Sequence, residues 1–211
     1  MNRPIKNTTH LHGLYVITQA PRHICIARAA LRGGARLIQL RDHGQPAEKL
    51  LEIAQELRQL TGEFDALFFV CDHVQVAQQV DADGVHLEWA KISLPDARQQ
   101  WGTDRLLSTG ANSIERAQAA QNAGANYLGV GPVFPTQTKK DAGDAIGFNG
   151  LGAIARAVSV PVAAIGGLNE ANIAQVPTAM ASVVSALADL PSEKQMEAMT
   201  RTLIEKLGTR P

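Results

Sequence analysis

The sequence predicts a single-domain α/β protein, a (β/α)8 TIM barrel. Three observations predict it. Short β-rich runs alternate with helical patterns eight times along 211 residues, with no large insertion. Several of those runs are almost wholly apolar, as strands covered on both faces must be. The length lies near the lower limit, roughly 200 residues, of such a barrel. A doubly wound open sheet needs fewer units. No composition shift or linker divides the chain, so one domain is expected over 1–211, with residues 1–12 as an N-terminal extension.

The elements follow in order. Residues 14–18 (Leu-Tyr-Val-Ile-Thr) read as the first strand, and 24–32 as a helix that Gly33-Gly34 would end. A strand at 36–40 precedes a helix at 47–60. The run 66–71 (Ala-Leu-Phe-Phe-Val-Cys) is the third strand, followed by a helix at 74–80. Strand 84–87 leads to Ser93, an N-cap for a helix at 94–100. Strand 106–109 leads to Ser113, the N-cap of a helix at 114–123 that stops at Gly124. Ser113 has Arg116 three residues on, so the full capping box is missing. Strand 127–130 precedes a helix at 151–158. Pro161 opens strand 162–165, where a missing N–H is tolerated. A helix at 170–176, a strand at 182–185 and a helix at 193–207 complete the series.

Composition narrows the function. The formal net charge is zero, which argues against a broad nucleic-acid or anionic-membrane surface. No apolar run approaches the ~20 residues of a membrane span, and residues 1–11 lack an apolar signal core. Cys25 and Cys71 show no metal-ligand spacing, as in a reduced, cytoplasmic protein. The expected partners are small phosphorylated molecules and, for a small barrel with helices outward, a second copy in a homodimer.

In such a barrel, function sits at the C-terminal ends of the strands. The loop from Gly131 to Asp141 is the strongest signal there. Gly131 and Pro132 turn the backbone sharply, Thr136 and Thr138 supply hydroxyls, and Lys139 and Lys140 supply charge; together these suit an anion. Gly166-Gly167 lies between a buried strand and a helix, where open backbone can approach a phosphate. Gln39, Arg41 and His43 fall on one side by strand alternation. Arg41 could clamp a pyrophosphate or pair with Asp42 or Asp72. Asp72 could hold Mg²⁺ or cap the next helix. His86 reads as a hydrogen-bonded barrel-core histidine.

These motifs, in this order, resemble the thiamine phosphate synthase family, with its thiazole tautomerase branch. The resemblance runs from about Gly13 to Leu187. It rests on Gly13-Leu14-Tyr15, Gln39-Leu40-Arg41, Asp83-Gly84-Val85-His86-Leu87, the ungapped stretch from Gly129 to Asp141, and Pro161 to Gly167. It implies an enzyme that joins a hydroxymethylpyrimidine pyrophosphate to a thiazole phosphate, releasing pyrophosphate with the help of Mg²⁺. By the resemblance, Gln39 and Arg41 hold the pyrimidine substrate and its pyrophosphate, with Arg41 and Lys139 in catalytic roles. Asp72 ligates magnesium. Thr136, Thr138, Gly166, Gly167, Val184 and Ser185 bind the thiazole phosphate.

The chain departs from the family pattern in the pyrimidine-pyrophosphate and metal half of this pocket and, in the thiazole-phosphate half, only in the segment before strand eight. His43 stands where the family has lysine, Cys71 where it has asparagine, and Gly110 where it has serine. Lys91 takes the place of the second magnesium ligand, with Glu88 nearby as a substitute. The segment before strand eight, 178–181, is shortened. A synthase with an altered metal site is therefore expected. The alternatives are a diverged, tautomerase-like paralogue and a thiazole-phosphate-binding protein without catalysis.

Overall fold

A computed structural model describes residues 8–88, 92–138 and 142–208. Its strands are β1 (Gly13–Thr18), β2 (Leu37–Leu40), β3 (Leu67–Cys71), β4 (Gly84–Leu87), β5 (Leu106–Ala111), β6 (Tyr127–Val130), β7 (Val162–Ala164) and β8 (Met180–Val183). They pair in parallel in chain order, and β8 closes on β1, giving the expected barrel. The helices are α1 (His23–Arg32), α2 (Ala47–Glu63), α3 (Val74–Gln79), α4 (Leu94–Trp101), α5 (Ile114–Asn122), α6 (Gly147–Arg156), α7 (Ser185–Ala188) and α8 (Glu193–Leu207). No described helix is long and apolar enough to cross a membrane.

Alternation along the strands sorts the side chains into two cores. The outward set, with Val16, Ile38, Phe68, Val70, Val85 and Leu128, packs under the helices. The inward set fills the barrel: Tyr15, Leu37, Phe69, Leu106, Tyr127, Ala163 and Met180, all buried. Leu11 joins this inner group from the N-terminal side, so that end of the barrel is sealed by hydrocarbon. The residues just before it, Thr8–His10, form a single 3-10 turn. Toward the C-terminal ends the inward positions become polar or small, which opens a pocket there.

Expected caps are present. Ser93 Oγ accepts from the Asp96 N–H and Ser113 Oγ from the Arg116 N–H, and Gly34 and Gly124 adopt positive φ after α1 and α5. Trp101 is structural: it is buried at the end of α4, its indole N–H donates to the Leu106 carbonyl at 2.9 Å, and the Arg105 guanidinium lies over its ring.

Three expectations need correction. The eighth strand is not 182–185 but starts two residues earlier and ends at Val183, pairing Met180 with Gly13 and Ala163. Methionine and alanine have weak strand preference, so Met180-Ala181 carried no sequence signal. The helix expected at 170–176 is only a 3-10 turn, Ile173–Gln175. Asn169 and Asn172 hold that segment by side-chain bonds to the backbone, with the Asn172 amide donating to the Gly167 carbonyl, which competes with helix formation. Helix α6 begins at Gly147, four residues before the expected 151, because three glycines hide its first turns from propensity.

Asp83 ties the outer layer to the sheet. Its buried carboxylate accepts from the Phe68 N–H at 2.8 Å and from Arg58 of α2 at 2.7 Å. Asp83→Ala removes one partner of a pair and leaves a buried N–H unpaired, a change worth about 2–3 kcal/mol. Urea denaturation monitored by circular dichroism should show this loss with an unchanged m-value; an unchanged midpoint would mean that the pair contributes nothing.

Candidate active site

A cavity of about 300 Å³ opens at the C-terminal ends of the strands, which is enough for a drug-sized ligand. Of the residues expected in the site, Gln39, Arg41, Glu88, Gly110, Thr136, Thr138, Gly166, Gly167, Val184 and Ser185 line it. His43, Cys71 and Asp72 sit together beside Glu88 at its edge. Lys139 lies outside the described residues, as do Trp89, Lys91, Lys140 and Asp141. Strand order places β2–β4 across the barrel from β6–β8. The pocket therefore has two facing sides built on different chemistry.

The β6–β8 side is made of backbone and hydroxyls. After β6 the chain runs on beside the continuation of β7: Val133 N–H donates to Ile165 O, and Phe134 N–H to Gly166 O. The far end of the loop is pinned where Ile146 and Gly147 N–H groups donate to Pro132 and Val133 carbonyls. Phe134 packs edge-on against Phe148 of α6, 5.1 Å between centroids. Thr136 Oγ1 accepts from the Thr138 N–H, which fixes both threonines toward the cavity. A Cβ on Gly131 would lie 2.0 Å from Ile165 O, and one on Gly167 (φ +65°) 2.6 Å from Phe134 Cβ. Those glycines are required by close approach and, at Gly167, by backbone conformation.

The β2–β4 side is ionic. Arg41 Nε and Nη2 both donate to Glu88 Oε1, at 3.0 and 2.8 Å, and His43 Nε2 lies 3.2 Å from the same oxygen. Arg41 thus pairs with neither Asp42 nor Asp72, the partners considered from sequence. Asp72 does not cap α3 either: His73 takes the N-cap position without a side-chain bond. The Asp72 carboxylate instead accepts from the Glu88 N–H at 2.7 Å, and its other oxygen is 3.7 Å from His43 Nδ1. Glu88 points inward, with its side chain only 16% exposed.

Asp42 is turned away to a buried brace. Its carboxylate lies 3.1 Å from His23 Nε2, and His23 Nδ1 lies 2.8 Å from the Thr18 hydroxyl. Burial pushes the His23 pKa down, more than its bond to Asp42 raises it. Burial alone would raise Asp42, but bonds from Gly44 N–H, His23 and Gln45 outweigh that and hold it low. The brace fixes the turn that carries Arg41 and His43.

The floor holds residues that the sequence did not single out. Tyr15 donates to Gln39 Oε1 at 2.7 Å and lies 2.9 Å from the Tyr127 hydroxyl. Ser108 Oγ is 2.9 Å from His86 Nδ1 and donates to the Val85 carbonyl at 3.5 Å. Each hydroxyl has one proton. With Tyr15 donating to Gln39, Tyr127 donates to Tyr15; with Ser108 donating to the Val85 carbonyl, His86 Nδ1–H donates to Ser108. Gln39 then offers its amide N–H groups to a ligand, and Nε2 becomes the acceptor nitrogen of His86. Burial, with each other's proximity, raises Tyr15 well above an ordinary phenol, and burial likewise raises Tyr127, so both stay protonated donors. Neighbouring strands place His86, Ser108 and Tyr127 side by side, through His86↔Ser108 and Ser108↔Tyr127, and Tyr127 of β6 meets Tyr15 of β1 across the barrel interior, a relation that sequence distance conceals. Arg116, on the first turn of α5, also lines the cavity and donates to Asn112; its nearness to the N-cap Ser113 was the only signal.

Known proteins resemble this chain in sequence and fold. The family model described as thiamine monophosphate synthase matches residues 14–190. A thiamine-phosphate synthase of Moorella thermoacetica is 40% identical over 180 residues, 85% of this chain and 86% of that protein. One of Pyrococcus horikoshii is 41% identical over 203 residues, covering 92% and 96%. A solved thiamine phosphate pyrophosphorylase from Pyrococcus furiosus superposes with a TM-score of 0.85 at 39% identity, covering 96% of this chain and all of that one. With relatives this similar over most of their length and a barrel that superposes on theirs, the chain belongs to the thiamine monophosphate synthase family.

Proposed function

We propose that this protein is a thiamine-phosphate synthase, a transferase that couples a hydroxymethylpyrimidine pyrophosphate to a thiazole phosphate. The observation that carries this reading is the two-sidedness of one cavity. A rim of backbone and threonine hydroxyls faces a rim bearing Arg41, across a floor whose donors and acceptors have a fixed order.

The floor suits a planar heteroaromatic ring. Gln39 would donate to a ring nitrogen, and His86 Nε2 would accept from an exocyclic amine. Arg41 would turn from Glu88 to the pyrophosphate, where its fork matches two oxygens. The bond from the pyrimidine methylene to the pyrophosphate oxygen breaks, and the electron pair leaves with the pyrophosphate. The thiazole nitrogen then supplies its lone pair to the methylene carbon, forming the new C–N bond. Arg41 stabilises charge as it develops on the leaving group, and Lys139 is expected to assist. Thr136, Thr138, Gly166, Gly167, Val184 and Ser185 hold the thiazole phosphate, and Gly110 leaves room beside the rings.

Mg²⁺ is the cation expected from the resemblance. Asp72 and Glu88 supply carboxylates that it accepts, but the thiol and imidazole beside them do not suit a hard ion. No step is therefore assigned to it. The tautomerase alternative has less support, since Asn112, at that branch's histidine position, is an amide bonded by Arg116 and offers no base.

Incubating the purified chain with both substrates and a panel of divalent ions should yield thiamine phosphate by liquid chromatography. Product no greater than in a heat-killed control, with every ion, would sink the reading.

A further inference from the structure

The ionic side of the pocket brings four metal-binding side chains to one point. His43 follows β2, Cys71 ends β3, Asp72 follows it, and Glu88 follows β4. One donor atom of each lies within 4.8 Å of all the others. Around a tetrahedral ion with bonds of about 2.0–2.3 Å, donors stand about 3.3–3.8 Å apart. One observed separation, 3.7 Å from His43 Nδ1 to Asp72, is already at that spacing; the 3.2 Å contact with Glu88 is made by the other ring nitrogen, Nε2, so Glu88 must shift to share an ion bound at Nδ1. Cys71 is 1% exposed and the Asp72 side chain 5%, so these two would shield an ion on the barrel side, while His43 is exposed toward solvent.

The surroundings orient these donors. The Glu88 N–H fixes one Asp72 oxygen, which turns the other toward His43. The Asp72 N–H donates to the His86 carbonyl and anchors the backbone. Arg41 fixes the Glu88 carboxylate. Outer bonds of this kind are what hold metal ligands in place.

The donor set decides which ion. Mg²⁺ takes oxygen and keeps its waters. A thiolate and an imidazole select Zn²⁺ and its neighbours. We propose that His43, Cys71, Asp72 and Glu88 form a site for a borderline-soft divalent cation of the Zn²⁺ type, in preference to Mg²⁺. The site adjoins the proposed substrate pocket, but its test reads metal binding and not turnover, so it stands or falls separately from the synthase reading.

The full-length protein, stripped with a chelator, would be titrated with Co²⁺ as a coloured probe. The expected result is one equivalent bound, tetrahedral d–d bands, and a thiolate-to-cobalt charge-transfer band that Zn²⁺ abolishes and a large excess of Mg²⁺ does not. Cys25→Ser should keep the charge-transfer band and Cys71→Ser should lose it. His43→Gln should weaken Zn²⁺ binding in calorimetry by at least about 10–100-fold, the loss that even outer-shell changes cause. The idea is overturned by sub-stoichiometric binding, by Co²⁺ bound without the charge-transfer band, or by displacement of Co²⁺ with Mg²⁺ as readily as with Zn²⁺. The band is read on the unaltered chain, so failure of a variant to fold leaves the test decisive.

Discussion

Gly131→Ala is expected to disable the phosphate-side loop and to destabilise the whole barrel. The added methyl would sit 2.0 Å from the Ile165 carbonyl oxygen and 3.0 Å from its carbon. Neither atom can swing aside, because the same oxygen accepts from the Val133 N–H at 2.9 Å and Ile165 directly follows β7. Relief requires the β6 loop to peel from β7, which breaks that bond and the one from Phe134 to Gly166. A loss of about 3 kcal/mol or more follows, the upper end for overpacking, or roughly 6–12 °C in thermal midpoint for a chain of this size. Calorimetry should find thiazole phosphate binding abolished. Gly110→Ala is the control: its nearest neighbour would be 3.9 Å away, so the midpoint should move little. Equal midpoints for the two variants would show that the loop does not depend on this contact.

Arg41→Ala should lower kcat/KM for coupling by about 10²–10³-fold, the typical cost of removing one preorganised donor from developing charge. Arg41→Lys should recover only part of it, because a point charge cannot match two oxygens with a planar fork. Thiazole phosphate affinity should stay within about threefold, since its residues lie on the opposite side of the barrel. Steady-state kinetics and calorimetry on the same preparation separate the two effects. Unchanged turnover, or an equal loss of thiazole phosphate affinity, would remove Arg41 from the role assigned to it.

Much of the molecule was legible because it is written in local patterns. Leu67 to Cys71 announces a strand by an unbroken apolar run, and Ser93 and Ser113 announce helix starts by capping. The loop from Gly131 carried its anion-binding chemistry in adjacent residues, and the threonines and glycines line the cavity as expected. Signals failed where residues were locally neutral. Met180 and Ala181 form a strand only because β1 and β7 bracket them. The glycines of α6 obscure a helix that tertiary bonds from Pro132 and Val133 nucleate. The pairing of Arg41 with Glu88, and the bonds Tyr15 makes with Gln39 and Tyr127, join residues tens of positions apart. Only closure of the barrel brings them together. The sequence marked His43, Cys71 and Glu88 as separate departures; their convergence on Asp72 required the strand ends to be placed in space.

The hydrocarbon seal at the N-terminal end of the barrel governs traffic. Among the described residues, Leu11, Leu37, Phe69, Leu106 and Met180 close the barrel beneath the floor, so the cavity is a cul-de-sac. Whatever enters must leave by the same mouth. On the proposed reading, a ring resting on Gln39 and Tyr15 would take the inner berth, and a guest held nearer the rim would block its way out. Depth would then set the queue: the inner guest arrives first and departs last.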